Sequence, residues 1–392
     1  MDELSAQGLP LADIKVVEFC SVAAGPFCGM LLADMGADVV KVEAPDGDAL
    51  RTWPPLNEGY SENFASLNRN KRSAVLNLKD ADDLRLATKL VLDADVVIEN
   101  NRPGVMKRLG LDFSNFKQKR PDLVYCSISA YGQTGPRAGE GGFDLTIQAA
   151  AGVMSVTGDP QGLPAKCGVP VSDFASGLYA AFAIAAKLAH VRAGGEGAHI
   201  DVPMFGCTLG IAALQTSEYF GAGRDPVRLG SAHPRNAPYQ AYQAGDGYFA
   251  IAAGNHKLWV AVCEAVGLPH LPEDPRFLTT TDRARHQAAL KEILESRFLG
   301  QSVAYWIEVF DRAGVPHARI NTYSAALADP QVVHMQWVQA LDLPGGARTK
   351  TFASPLRLDG RGLPIRRHPP GLGEHTDSIR AALSENLKEA RS

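Results

Sequence analysis

Ile14-Lys-Val-Val-Glu-Phe19, Ser21-Val-Ala-Ala-Gly-Pro26, Phe27 to Met35 and Ala37-Asp-Val-Val-Lys-Val42 succeed one another within residues 14–43. The outer pieces are short runs rich in β-branched residues, the pattern of buried strands. Between them, a small-residue turn leads into an apolar segment of helical length. That segment stops at Gly36, a residue suited to the position after a helix C-terminus. The same order returns in Ser73–Leu78, helix Ala81–Leu92 and strand Asp95–Glu99. A helix around Gly104–Leu109 and a strand Leu123–Ile128 come next. Strands that alternate with helices imply an α/β fold with a parallel sheet and right-handed crossovers.

Gly132-Gln-Thr-Gly-Pro136 is a turn-rich loop before a long apolar stretch, residues 144–190. Strand Ala198–Val202 follows a glycine-rich break. Residues 223–245 are loop-rich, and a smaller α+β unit begins at Gly247 with strand Tyr248–Ala253. Helical segments are expected at 256–266, 282–298 and 301–313, and Pro369–Thr376 leads into a last amphipathic helix.

The 392 residues are 45% hydrophobic and 21% charged, an ordinary globular balance. A net charge of −4 gives no nucleic-acid footprint. Cys20, Cys28, Cys126, Cys167, Cys207 and Cys263 show no metal-binding spacing, so no metal site is expected. They read as reduced thiols of a cytoplasmic protein. Met1-Asp-Glu-Leu-Ser5 lacks the basic and apolar parts of a secretory signal. No window holds about 18 uninterrupted apolar residues, so no membrane span is expected.

Several motifs invite chemistry. Asp173 stands in Val169-Pro-Val-Ser-Asp-Phe-Ala-Ser-Gly177, at the start of an apolar helical run. On this peptide alone it reads as a helix N-cap, with a nucleophile in a dry pocket as the alternative. Gly25, Gly29 and Glu43 invite a dinucleotide reading, but the glycines miss G-x-G-x-x-G and Pro26 removes a backbone donor. Asn68-Arg-Asn-Lys-Arg-Ser73 and Glu99-Asn-Asn-Arg-Pro-Gly104 combine amides with cations, which suits phosphate oxygens. His233 and Arg235 lie in the loop-rich stretch and suit a carboxylate, as do Arg224 and Arg228; a structural histidine is the alternative at 233.

Taken together, these motifs resemble the class III CoA-transferase family, which includes formyl-CoA transferase and the α-methylacyl-CoA racemases. The carrying residues are Ala23-Ala-Gly-Pro26, Leu32 to Glu43, Asn68 to Ser73, Glu99 to Gly104, Gly132 to Pro136, Gly142-Phe-Asp144, Asp173 and Pro369 to Thr376. The resemblance implies a large Rossmann-like domain from 1–200 and 325–392, a linker at 201–225 and a small domain at 226–324. It also implies an interlocked homodimer of ring-like subunits. The family's catalytic aspartate matches Asp173, which implies CoA transfer through an aspartyl anhydride and an aspartyl-CoA thioester.

By the same resemblance, Val22, Ala23, Ala24, Gly25, Asn68, Lys71, Asn100 and Arg108 match CoA-binding positions. CoA or acyl-CoA would be a substrate, with no tightly bound cofactor. Two family cations are missing, at Ala44 and at Gly141, and Arg51, Arg72 or Arg102 are the candidate replacements. Racemases carry a histidine before the aspartate of Gly-x-Asp; here that residue is Phe143, which favours transferase over racemase. A CoA-binding homologue without catalysis is the other alternative. Leu229–Tyr242 and Asp246–Asn255 resemble the branch that uses dicarboxylates, which implies succinyl-CoA as donor and a C4–C6 dicarboxylate as acceptor, with His233 and Arg235 as candidate substrate contacts.

Overall fold

A computed structural model describes residues 8–389. The described chain divides into two units: residues 8–153, 167–223 and 331–389 form the larger, and 154–166 with 224–330 the smaller. Of residues 201–225, expected as a linker, 201–223 instead complete a strand and build two helices of the larger unit.

The larger unit holds strands β1 (Lys15–Phe19), β2 (Asp38–Glu43), β3 (Lys71–Val75), β4 (Val96–Glu99), β5 (Val124–Ser129) and β6 (Ala198–Pro203). They form one sheet in the order β3-β2-β1-β4-β5-β6, with every pairing parallel. This is the Rossmann order, and its direction reverses between β1 and β4. Open α/β sheets bind ligands outside the strand C-termini at such a reversal.

Helices α1 (Ala24–Asp34), α2 (Glu62–Asn68), α3 (Ala81–Asp93), α4 (Val105–Leu109), α5 (Asp144–Ala150), α6 (Val171–Arg192), α7 (Met204–Ile211) and α8 (Ala213–Ala222) complete most of the unit. One core joins Val16, Val39, Ile98 and Cys126 of the sheet to Leu32 of α1 and to Ala180 and Ile184 of α6. The other joins Val17, Val40, Val97 and Tyr125 to Leu86 and Leu90 of α3 and to Ile379. Alternate strand residues thus feed opposite faces, as the two-residue period requires.

Helix α6 is long and apolar enough to cross a membrane by length and composition. Its apolar character is used in packing: Ala175, Gly177, Ala180, Ile184 and Leu188 are buried in the unit. Gly177 permits this closeness, since a Cβ there would stand 2.8 Å from the Ala24 carbonyl oxygen.

The smaller unit contains an antiparallel sheet of β7 (Tyr239–Ala244), β8 (Gly247–Ala252) and β9 (His317–Arg319). Helices α9 (His256–Ala265), α10 (Gln287–Phe298) and α11 (Val303–Ala313) accompany it. Its core is aromatic, with Tyr242, Phe249, Trp259, Phe298, Trp306 and Phe310 all buried. The chain then returns to the larger unit and ends there with α12 (Thr376–Glu389).

A buried ionic cluster underlies the sheet reversal. Glu18 of β1 is fully buried and meets Lys41 of β2 at 3.1 Å and Lys71 of β3 at 2.8 Å. Lys41 also donates to the Cys20 carbonyl at 2.7 Å, and Lys71 to the Pro26 carbonyl at 2.8 Å. Both ends of the turn after β1 are therefore tied to one carboxylate. Gly29 leaves the room: a Cβ there would lie 1.9 Å from a Glu18 carboxylate oxygen. Removing one partner of a buried cluster strands the other charges. Glu18→Ala is expected to cost about 3–5 kcal/mol in urea unfolding; a loss below about 1 kcal/mol would contradict this account of the cluster.

Candidate active site

Asp173 occupies the first turn of α6, behind Ser172. It is not the N-cap that the peptide suggests: Pro170 holds that place and caps with no side chain. The capping acceptor comes from α5 instead. Asp144 accepts the Ser172 N–H through Oδ1 at 3.0 Å and the Gln148 amide through Oδ2 at 2.7 Å. Gln148, fully buried, passes the link on by accepting the Cys167 N–H at 2.8 Å. Asp144 therefore fixes the start of α6, and the Asp173 carboxylate is left with no hydrogen bond or ion pair among the described residues.

Burial, reinforced by the charge of Asp144, pushes the Asp173 carboxyl up to about 7. A carboxylate that is partly desolvated and unpartnered is a stronger base and a better nucleophile than one in water. Phe174 meets Phe27 edge-on at 4.8 Å, and Gly177 abuts Ala24. These contacts bring the start of α6 to the turn that follows β1. Phe143, at the position where a second acid–base group would stand, is 74% exposed and carries no proton to exchange.

At the sheet reversal, Asn100 clamps the turn after β1. Its Oδ1 accepts the Ser21 N–H at 3.0 Å and its Nδ2 donates to the Ser21 carbonyl at 2.8 Å. Val22 takes a left-handed φ of +66°, costly for a β-branched residue. Asp48 holds it there by accepting its N–H at 3.1 Å. Ala23, Ala24 and Gly25 continue from this turn into α1, the last two buried. Gly25 serves packing, since a Cβ would strike the Cys20 sulfur at 2.4 Å.

Beside this turn lies a cleft of about 480 Å³ at the C-terminal ends of β1, β2 and β3. Ala44, Asn77, Lys79, Asn101 and Arg108 are among its lining residues. Lys79 and Arg108 bring two cations with no acidic partner among the described residues, as phosphate groups require. Arg108, one of the positions matched to CoA binding, and Asn101 of the Glu99–Gly104 motif both line this cleft. Asn77 and Lys79 were missed. The signal available was position: β3 ends at Val75, so Leu76–Lys79 is the loop at its C-terminal end.

Other expected cleft residues stand elsewhere, and the reason is burial. Asn68–Arg72 leads into and opens β3, at the N-terminal end of that strand, and so lies away from the C-terminal edge of the sheet. Lys71 is fully buried, its ammonium spent on Glu18, the Pro26 carbonyl and the Asn68 side chain at 2.9 Å. Asn68 is equally buried, donating to the Phe64 carbonyl. Arg72 pairs with Asp38, donating through Nε at 3.0 Å. Arg51 forks onto Glu43 with bonds of 2.7 and 2.6 Å. Of the three arginines considered as replacements, Arg102 lies at the vacated position Gly141. Its guanidinium lies 2.8 Å from where a Cβ of Gly141 would be.

Glu43 bears on the dinucleotide reading. Its carboxylate is buried and accepts from Arg51, the Ser73 hydroxyl at 2.6 Å and the Asp48 N–H at 3.0 Å. None of its strong acceptor capacity is left for a ribose. In the smaller unit, the His233 ring packs 5.1 Å from Tyr239, and its Nδ1 accepts the Arg235 N–H at 3.1 Å. Burial, then the Arg235 charge, lowers its basicity. The ring is therefore neutral at pH 7, with its proton on Nε2.

The Asp173 carboxyl ionises at about 7 in the fold and near 3.9 in an unfolded chain. The folded state thus holds a proton that the unfolded chain has lost. Its contribution is present below the unfolded value and disappears as pH rises through about 7. Asp173→Asn is expected to gain stability over the parent between pH 4 and 7 and to hold that gain above it. A stability difference that is flat from pH 4 to 8 would contradict the raised value.

A family model described as CoA-transferase family III matches residues 11–376. Succinate–glutarate CoA-transferase of Agrobacterium fabrum is 37% identical, over 98% of each chain. Acetyl-CoA:oxalate CoA-transferase of Acetobacter aceti is 39% identical, over 82% of this chain and 83% of its own. A crystal structure of a CaiB/BaiF family protein from Brucella suis superposes with a TM-score of 0.85 at 39% identity, covering 96% of this chain and all of the other. Fold, cleft and sequence agree that this chain is an enzyme of the class III CoA-transferase family.

Proposed function

We propose that the enzyme moves CoA from succinyl-CoA to a free dicarboxylic acid, with Asp173 as the covalent carrier. The observation that carries this reading is the Asp173 carboxyl itself: unpartnered, partly desolvated, and ionising at about 7 beside the turn after β1. The two similar transferases act, by their names, on glutarate and on oxalate, both dicarboxylates.

The steps follow from these groups. An Asp173 oxygen attacks the thioester carbonyl; the C–S bond breaks, giving a mixed anhydride and CoA thiolate. The thiolate attacks the aspartyl carbonyl, releasing the donor acid and leaving an aspartyl-CoA thioester. The acceptor carboxylate attacks that carbonyl, and CoA thiolate departs again. Its attack on the acceptor's acyl carbon forms the new acyl-CoA and returns Asp173 as carboxylate. Exclusion of water protects both anhydrides from hydrolysis. Lys79 and Arg108 hold CoA phosphates in the cleft. No tightly bound cofactor takes part.

The enzyme acts as an interlocked homodimer in the cytoplasm. Phe182 of α6 and Phe220 of α8 are 73% and 80% exposed, and Leu178 and Leu214 are exposed with them. Exposed large apolar side chains on both helices suit burial by a second copy. Cysteines kept as thiols suit a reducing compartment.

Acyl exchange from succinyl-CoA to a panel of glutarate, itaconate, oxalate and acetate tests the proposal. Wild-type protein is expected to form new acyl-CoA with dicarboxylates, and Asp173→Ala to lose more than about a thousandfold in kcat. Equal use of acetate would contradict the dicarboxylate assignment, and an active Asp173→Ala the mechanism. Lys79→Ala is expected to raise KM for acyl-CoA roughly tenfold or more with kcat retained; an unchanged KM would remove Lys79 from the cleft's phosphate contacts. Light scattering should give the mass of two chains, and a monomer at micromolar concentration would contradict the dimer.

A further inference from the structure

A second cavity, of about 300 Å³, lies on the far side of α4 and shares no lining residue with the cleft. The short helix divides them: Val105, Arg108 and Leu109 face the cleft, whereas Met106 and Lys107 face the cavity. The floor of the cavity is polar. Glu99 and Ser127 are cross-strand neighbours on β4 and β5, and the Ser127 hydroxyl lies 2.9 Å from His199 Nε2. Phe113 and Tyr125 form apolar walls, with the Phe113 ring stacked on His199 at 5.7 Å.

The balance of donors and acceptors is uneven. Glu99 is 3% exposed, and burial raises its carboxyl toward the neutral form. Asp112 is already engaged, accepting from the Ser114 hydroxyl and the Asn115 amide. Asp201, beside the cavity, accepts the Gln133 N–H at 2.8 Å. Against these stand unspent donors. Arg102 and Lys107 have no acidic partner among the described residues, and the Gln133 side-chain Nε2 is buried with no hydrogen bond. A buried donor without a partner costs free energy that a bound acceptor would recover.

We propose that this cavity binds a compact small molecule bearing a carboxylate or phosphate, at a site separate from the acyl-CoA cleft. The anionic head meets Lys107, Arg102 and the Gln133 amide, and the body of the ligand lies against Phe113 and Tyr125. Such a site has the usual form of a small-molecule pocket, mostly apolar with a few convergent polar groups.

Calorimetry on the full chain tests it, with inorganic phosphate and succinate as separate probes, each with and without saturating CoA. One equivalent of phosphate or succinate per chain is expected even when CoA fills the cleft, and the tighter probe identifies the head group. Lys107→Ala should weaken that binding roughly tenfold or more, and Gln133→Leu should weaken it too. Both positions are outside the hydrophobic cores, and an unchanged melting temperature confirms each variant is folded. Uptake of neither probe, or uptake that both variants leave unchanged, would overturn the proposal. CoA binding is read in the same experiment, so a failure of the transferase reading appears separately as a chain that takes up no CoA.

Discussion

One buried carboxylate, Glu18, organises the ground on which the active site stands. It sits on the central strand β1 and neutralises lysines from both strands beyond it, Lys41 and Lys71. Those lysines spend their remaining donors on the carbonyls of Cys20 and Pro26. Two ammonium groups cannot be buried against one carboxylate without further help, and Asp48 supplies it at 2.9 Å from Lys41. Asp48 in turn holds the Val22 N–H, so the strained turn is set by the same cluster that holds three strands together. Asn100 adds the fourth strand by clamping Ser21. The turn after β1 is thus fixed from β1, β2, β3 and β4 at once, and a left-handed valine persists there because its surroundings over-determine it.

On that platform the two carboxylates at the start of α6 divide their work. Asp144 accepts two hydrogen bonds and supplies the cap that α6 otherwise lacks. Asp173 accepts none, and the neighbouring charge together with burial keeps its proton on until about pH 7. One carboxylate is structural because it is satisfied; the other is unsatisfied, which is the ground for proposing it as the nucleophile. This separation by environment is a general way to assign different roles to paired acids.

Much of this was legible in the sequence. Runs of β-branched residues spaced by helical segments gave the parallel sheet, because both faces of such a sheet are covered and its strands need no polar alternation. Asp173 emerged from family resemblance, since its own peptide reads first as a cap. The displacement of that cap by Asp144 is a contact across 28 positions, invisible to local pattern. Lys71 misled for a related reason: a cluster of cations reads as anion-binding until Glu18, 53 residues away, is found beneath it. Lys79 was passed over because it is a lone cation between strand and helix, outside the amide-and-cation motifs; the strand ends at Val75, which leaves Leu76–Lys79 as a loop at its C-terminal end.

The central claim is that Asp173 forms a covalent bond to each acid in turn. Turnover with a dicarboxylate labelled with ¹⁸O in its carboxyl groups, followed by mass spectrometry of the peptide containing Asp173, tests it most directly. The acceptor oxygen that bridges the second anhydride stays with the aspartate when CoA attacks the acyl carbon. The account predicts ¹⁸O in the Asp173 carboxyl after turnover. New acyl-CoA formed with no label in that peptide would contradict it.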